Sequence, residues 1–413
     1  MKVLIYTFAF APRIGGVESS VRTLAEQLAR AEGERLDVTV ATETPAGDFD
    51  DATLPFRVVR RPGVARLWTL ISQASVVHLA GPAFLPLVMG WWQRKPVVIR
   101  HHGYQACCPN GLLLYEPSKT ACPGHFMARR YHRCLVCNAA SAGWAASARG
   151  LLATFPRRWL SARAAMNVHI AHAVKDRLGL PRSCVVYYGI ADPDAGATGG
   201  RPPAPDSATG PGAASRADPV ADLVCFAYVG RFVSEKGLPL LVEAAARLRD
   251  RGERFRVKFI GDGPERPRLK AMVDGRGLDR HVAFSGFLEG QPLSEELADV
   301  TAVVMPSVWE ETAGLSALEQ MMRGRLVIAS DIGGLGELVG HAGLKFPPGD
   351  VEGLIGCMLR VLKDPDLSAR LGRAARARVR ALCGQEVTLR RHVAILRSAV
   401  ARQGEDAASR RSS

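Results

Sequence analysis

Short runs of continuous apolar residues recur along the chain, each followed by a stretch whose apolar positions repeat at helical spacing. In the first half these runs are KVLIYT (2–7), LDVTVA (36–41), SVVHLA (75–80), PVVIRH (96–101), MNVHIA (166–171) and CVVYYG (184–189). Strands without polar alternation are those covered by helices on both faces, so the pattern predicts a doubly wound parallel sheet. Beyond residue 222 the pattern restarts with LVCFAYVG (223–230), FRVKFIG (255–261), HVAFSG (281–286), TAVVMP (301–306) and RLVIAS (325–330). A second domain of the same α/β kind is therefore expected.

Residues 192–222, DPDAGATGGRPPAPDSATGPGAASRADPVAD, are dense in Pro, Gly, Ala and small polar residues. No core can be built from them, so they read as a linker between Rossmann-like domains at 1–191 and 223–385. A C-terminal helix over 386–402 is expected to pack back on the first domain, followed by a disordered tail at 403–413. Two such domains leave a cleft between the carboxyl ends of their strands, where open α/β sheets bind ligands.

The length of 413 residues, 47% of them apolar, agrees with two cores of roughly 200 residues each. The net charge of +14 admits nucleic acid, phosphorylated substrates or an anionic membrane surface as partners. Between Pro117 and Lys175 stand nine cations and no acid, so the positive charge gathers in the first half. The start, MKVLIYTFAFAPR, reads as a buried first strand rather than a leader. The apolar run from Leu79 to Trp92 holds two prolines and falls short of the ~18 residues that a membrane-spanning helix needs. A cytoplasmic protein is expected, and Trp91-Trp92-Gln93-Arg94-Lys95 suits a lipid interface as well as a core helix entering a strand.

Candidate chemistry falls in the strand-to-helix loops. Gly15 and Gly16 follow the first strand and open a helix whose free amides favour an anion. Arg231 and Lys236, in VGRFVSEKG, offer two cations suited to a diphosphate. Gly261-Asp262-Gly263, in GDGPE, is a turn that a nucleobase could approach closely. In VWEETAGLSALEQMM, Glu311 and Glu319 lie eight residues apart, or ~12 Å if both are on one helix. The amides of Ala313, Gly314 and Leu315 between them would point at an anion, while Glu310 receives no role.

The segment PSVWEETAGLSALEQMMRGRLVIASDIGGLGE (306–337) resembles the donor-site signature of the GT-B retaining glycosyltransferases of family 4. GGVE, VGRFVSEKG and GDGPE are similar to the other motifs of that family and come in the same order. The resemblance implies a GT-B fold, in which two Rossmann-like domains flank a cleft holding a nucleoside diphosphate sugar. It gives Glu311 the donor-sugar hydroxyls, Glu319 the ribose, and Arg231 and Lys236 the leaving diphosphate, helped by the Gly15-Gly16 turn. It implies a retaining, front-face reaction that requires no cofactor, with the leaving phosphate taking the acceptor proton. His101 and His102 resemble the family's histidine beside the donor sugar, and the sequence leaves the choice between them open. Three positions depart from the family pattern: Ala313 replaces an aromatic and would widen the sugar pocket, Tyr188-Gly189 replaces Asn-Gly, and His172 stands where Ser is common.

Five of the nine cysteines lie between residues 107 and 137. Within this Cys-rich insertion, at about 104–140, Cys108, Cys122, Cys134 and Cys137 could supply four thiolates to a structural zinc ion, and reduced free thiols are the equal alternative. The acceptor is expected to be lipid-linked or anionic and met at the inner membrane face. An epimerase of the same fold and a natural-product glycosyltransferase are the alternative readings. A zinc-stapled nucleic-acid-binding protein leaves the second domain unexplained.

Overall fold

The computed structural model describes residues 1–13, 15–31, 35–193 and 223–409, with side chains to residue 405. The linker expected at 192–222 thus lies outside the described residues except for Asp192 and Pro193.

The first domain is a seven-stranded sheet in the order β3-β2-β1-β4-β5-β8-β9, with every pairing parallel. Its strands are β1 (Lys2–Thr7), β2 (Asp37–Thr42), β3 (Arg57–Arg60), β4 (Val76–Ala80), β5 (Val97–His101), β8 (Met166–His169) and β9 (Ser183–Val185). A separate hairpin, β6 (Leu114–Tyr115) and β7 (Thr120–Ala121), stands in the Cys-bearing segment. The helices are α1 (Gly16–Ala29), α2 (Val64–Gln73), α3 (Phe84–Trp92), α4 (Tyr131–Ala142), α5 (Trp144–Ser161) and α6 (His172–Leu178).

The second domain repeats the plan with six parallel strands in the order β12-β11-β10-β13-β14-β15. They are β10 (Val224–Val229), β11 (Phe255–Ile260), β12 (Val282–Gly286), β13 (Ala302–Met305), β14 (Leu326–Ser330) and β15 (Leu344–Phe346). Its helices are α7 (Leu238–Asp250), α8 (Arg266–Gly275), α9 (Gly290–Glu296), α10 (Leu315–Met322), α11 (Gly333–Val339), α12 (Val351–Lys363) and α13 (Leu367–Cys383). The strands β3 and β15, absent from the sequence reading, are short edge strands, whose half-solvated surroundings leave no continuous apolar run.

The chain crosses between the domains a second time at Gly384, where Ile190 donates its amide to the Cys383 carbonyl at 2.7 Å. The last helix, α14 (Gln385–Ser409), then runs back over the first domain, burying Val393, Leu396 and Ala399 in the core that holds α1 and the first sheet. It is one continuous helix through Ser409, seven residues past the expected end at 402, running through Gly404 with no proline to break it. No helix among the described residues is long and apolar enough to cross a membrane.

Strand order reverses between β1 and β4 in the first sheet and between β10 and β13 in the second. Loops diverging from such a point leave a crevice at the strands' carboxyl ends, and the candidate motifs fall there.

Candidate active site

Gly16 is the first residue of α1, and a Cβ placed on it would stand 2.7 Å from Leu315 Cδ1. The starts of α1 and α10 therefore meet across the cleft, one from each domain. A side chain at 16 would have to displace the Leu315 side chain.

On the second-domain side, the loop after β10 is pinned by Phe232, fully buried against Tyr228, Phe259 and Phe284. At its end Gly237 adopts φ +64° with its Cα against the Pro306 carbonyl, a left-handed close approach that only glycine tolerates. That approach brings Lys236 to the loop after β13. There its ammonium pairs with the Glu311 carboxylate, whose other oxygen accepts from Ser307 Oγ at 2.7 Å. The side chains of Lys236 and Glu311 are 15% and 8% exposed, so the pair is largely removed from water. Arg231 is exposed and pairs with no carboxylate among the described residues.

Glu311 does not share a helix with Glu319. The helix α10 begins only at Leu315, after Gly314 in the left-handed conformation (φ 69°), so helical rise does not measure the spacing of the two acids. The amides of Ala313, Gly314 and Leu315 donate to no acceptor among the described residues. Glu319 faces solvent within the concave wall, and the surrounding protein raises its pKa by desolvation, with Arg323 pulling the other way. Ala313 is 2% exposed, so its methyl group does not line an open sugar pocket as expected.

Gly261 and Gly263 are closely approached, but by their own domain. A Cβ on Gly261 would collide with the Gly230 carbonyl, and one on Gly263 with the Phe232 backbone. Asp262 accepts from the Gly263 amide at 2.8 Å and pairs with Arg266 at 2.7 Å, which together lower its pKa. These glycines fix the loop that carries Arg231 and Lys236.

The two histidines separate. His101 is fully buried, bonds Asn167 Oδ1 at 2.8 Å and stacks on His169 with centroids 5.0 Å apart. Burial lowers its pKa to about 4. His102, at the strand end, stacks on Tyr188 and meets Tyr188 Oη through Nδ1 at 2.7 Å. Tyr188, a departure from the family pattern, thus orients His102, whose Nε2 is buried without a partner among the described residues. Next to it lies Arg100, 2% exposed, with its guanidinium over the Tyr188 ring and no carboxylate partner among the described residues. Desolvation lowers its pKa to about 10.

Two carboxylates bridge the domains in a way the sequence did not reveal. Glu310 receives both Nε (2.8 Å) and Nη2 of Arg177 from α6, and Tyr104 Oη donates to its carbonyl at 3.2 Å. Glu337 takes the amides of His172 and Ala173 at the start of α6, each at 2.9 Å, and the Tyr187 hydroxyl at 2.8 Å. The partners are 133 to 206 residues apart, and no local signal marks them.

Cys108, Cys122, Cys134 and Cys137 are buried near one another, but no three His, Cys, Asp or Glu side chains among the described residues are placed to hold a metal ion. The Cys108 thiol instead donates to Asn110 Oδ1 at 2.9 Å and that of Cys137 to the Leu114 carbonyl at 3.4 Å. Burial pushes the Cys134 thiol up to about 12.

Comparison with known proteins bears on the second domain and on the fold. Residues 219–378 match the model of the glycosyl transferases group 1 family. The chain is 35% identical over 150 residues to the alpha-D-kanosaminyltransferase of Streptomyces kanamyceticus, a match covering 36% of this chain and 39% of that protein. Anabaena HepE, solved in complex with UDP and glucose, superposes with a TM-score of 0.67 at 16% identity, covering 96% of this chain and 100% of that one. Sucrose-phosphate synthase from Thermosynechococcus elongatus gives 0.68 at 21% identity, covering 97% and 99%. The chain thus has the GT-B fold, two Rossmann-like domains about a cleft, and its second domain is similar to group 1 glycosyl transferases.

Proposed function

We propose that the protein is a retaining glycosyltransferase of the family-4 kind, moving a sugar from a nucleoside diphosphate to an acceptor hydroxyl. The observation that carries this reading is the buried Lys236–Glu311 pair beside the unpaired amides of Ala313, Gly314 and Leu315. The cation and amides suit a diphosphate, and the carboxylate released from Lys236 suits a sugar hydroxyl. The UDP and glucose bound to HepE support a nucleoside diphosphate sugar as the partner.

As the bond from the anomeric carbon to the diphosphate breaks, negative charge grows on the leaving oxygen. Lys236, Arg231 and the helix amides stabilise that charge, while Glu311 and His102 hold the sugar and Glu319 the ribose. The acceptor hydroxyl attacks from the same face and passes its proton to the leaving phosphate, so configuration is retained. The 2-deoxystreptamine glucosyltransferase of Streptomyces kanamyceticus, 39% identical over 140 residues and named for its acceptor, supports a natural-product acceptor. The acid-free segment from Pro117 to Lys175 supports an anionic or lipid-linked one, met at a membrane surface.

Thermal shift against a panel of nucleotide sugars, followed by NMR of the product's anomeric configuration, tests the proposal. A stabilising donor and a retained configuration are expected. Inversion, epimerisation of the donor alone, or no response to any nucleoside diphosphate would overturn it.

A further inference from the structure

Five of the six tryptophans are exposed by 41 to 71%, and all five belong to the helices α2, α3 and α5, which cover one face of the first sheet. On α5, Trp144, Leu152, Phe155 and Trp159 are 42 to 68% exposed and fall within about 80° of one another at 100° per residue. On α3, Phe84, Leu85, Trp91 and Trp92 are 44 to 71% exposed. The two stripes join where Trp91 meets Trp159 edge to face, with ring centroids 5.9 Å apart. Soluble surfaces scatter such side chains singly, and a contiguous band of them marks a contact surface.

The charges around the band have one sign. From Ala52 to Lys175 the chain holds sixteen Lys and Arg and a single acid, Glu116, which pairs with Lys119. No acid occurs in α2, α3 or α5.

At the edge of the band a groove of about 830 Å³ opens between α3, the end of α5 and α14. Trp91 and Trp92 form one wall, and Leu87, Val97 and Leu160 are apolar lining. Arg94, Lys95, Arg163, Arg182 and Arg402 also line it, with no carboxylate among the lining residues. None of the five forms an ion pair with an acid among the described residues. Lys95 and Arg182 donate to backbone carbonyls, and the Arg163 guanidinium lies 3.4 Å over the Trp159 ring. An apolar floor, indole walls and uncompensated cations are complementary to a molecule with an acyl part and an anionic head.

We infer that this face seats the protein on an anionic lipid bilayer, with a lipid phosphate in the groove and the tryptophan band at the headgroup level. The inference rests on the membrane contact proposed above and changes its meaning. Pro96, Val97, Ala164 and Ala165 place the groove at the starts of β5 and β8, whereas Gly16 and His102 lie at the carboxyl ends of the strands. The length of β5, about 15 Å at ~3.3 Å per residue, separates the two, so the groove anchors the protein and is not the acceptor site.

Flotation of the full chain with vesicles of phosphatidylcholine, alone or mixed with phosphatidylglycerol, tests this. Binding is expected to the mixed vesicles only, with a blue shift of tryptophan emission, and to weaken as salt rises. Arg94→Ala with Arg402→Ala should reduce binding about 25-fold, at about five-fold per cation, and Trp92→Ala should reduce the blue shift. UDP-induced thermal stabilisation should be the same in these variants and the parent, which separates failure of the anchor from failure of the glycosyltransferase reading. Equal binding to both vesicle types, no binding to either, unchanged binding in the variants, or displacement of bound vesicles by duplex DNA would overturn the proposal.

Discussion

The second-domain wall of the cleft is packed backbone against backbone, with Gly237 on Pro306, Gly261 on Gly230 and Gly263 on Phe232, and it sets one buried ion pair at its rim. The first-domain wall instead gathers Arg100, His78, His102 and His392, all heavily desolvated and without a carboxylate among them. Both rings of unsatisfied polarity and tight glycine packing cost free energy, but they constrain different things. Backbone packing holds the loops that carry Lys236 and Glu311. The imidazole cluster holds its groups by burial instead, with several ring nitrogens lacking a partner among the described residues. The wall that matches a family model is the rigid one, and the wall open to divergence is the one expected to face the acceptor.

The comparison is broken most directly at the ion pair. Lys236→Ala and Glu311→Ala should each lower the turnover rate by about 10²–10³-fold, as loss of a single charge-stabilising group does elsewhere. Measured turnover at saturating donor, with circular dichroism confirming the fold, checks this, and full activity in either variant would mean that the donor site is misplaced. Next comes Gly237→Ala, which forces a side chain into the left-handed region against the Pro306 carbonyl and should cost about 3 kcal/mol, read from denaturant titration.

The first-domain wall predicts a pH dependence. Burial lowers the pKa of His78 to about 3 and that of His101 to about 4, so both are neutral in the folded state at pH values where the unfolded chain already binds protons. Their contribution is fully present above pH 6.5 and is lost progressively as pH falls from there through 4, by about 1.4 kcal/mol per pH unit for each histidine. Urea titrations across that window should show falling stability, and replacing His101 by Gln should flatten the slope. The smallest effect belongs to the bridge between the walls. Arg177 is 40% exposed but Glu310 only 8%, so Arg177→Ala gives up a partly screened pair and leaves a buried carboxylate without its partner, and should cost about 2 kcal/mol of stability. Small-angle scattering should nevertheless record a larger radius of gyration, since the pair ties the domains together.

Local periodicity was sufficient for the architecture. A strand buried on both faces must be continuously apolar, so runs such as VVIRH and LVIAS named their own strands to within a residue or two. The edge strands β3 and β15 lacked that pressure and left no run to read. The loops after those strands carried Gly15, Gly16, Arg231, Lys236, Glu311 and Glu319, because close backbone approach and charge are properties of residue type.

What the sequence could not contain was partnership. Glu310 and Glu311 are adjacent and chemically identical, yet one holds Arg177 of the other domain and one holds Lys236 of its own. His101 and His102 are likewise neighbours, and the alternation of side chains along an extended chain sends one to Asn167 and the other to Tyr188. The four cysteines came close without converging, since spacing along the chain sets neither the direction nor the distance of a side chain in space. Residue types and periods therefore specified the domains and the candidate chemistry. Choosing among identical neighbours needed contacts spanning 66 to 206 residues, and only the packed structure provides those.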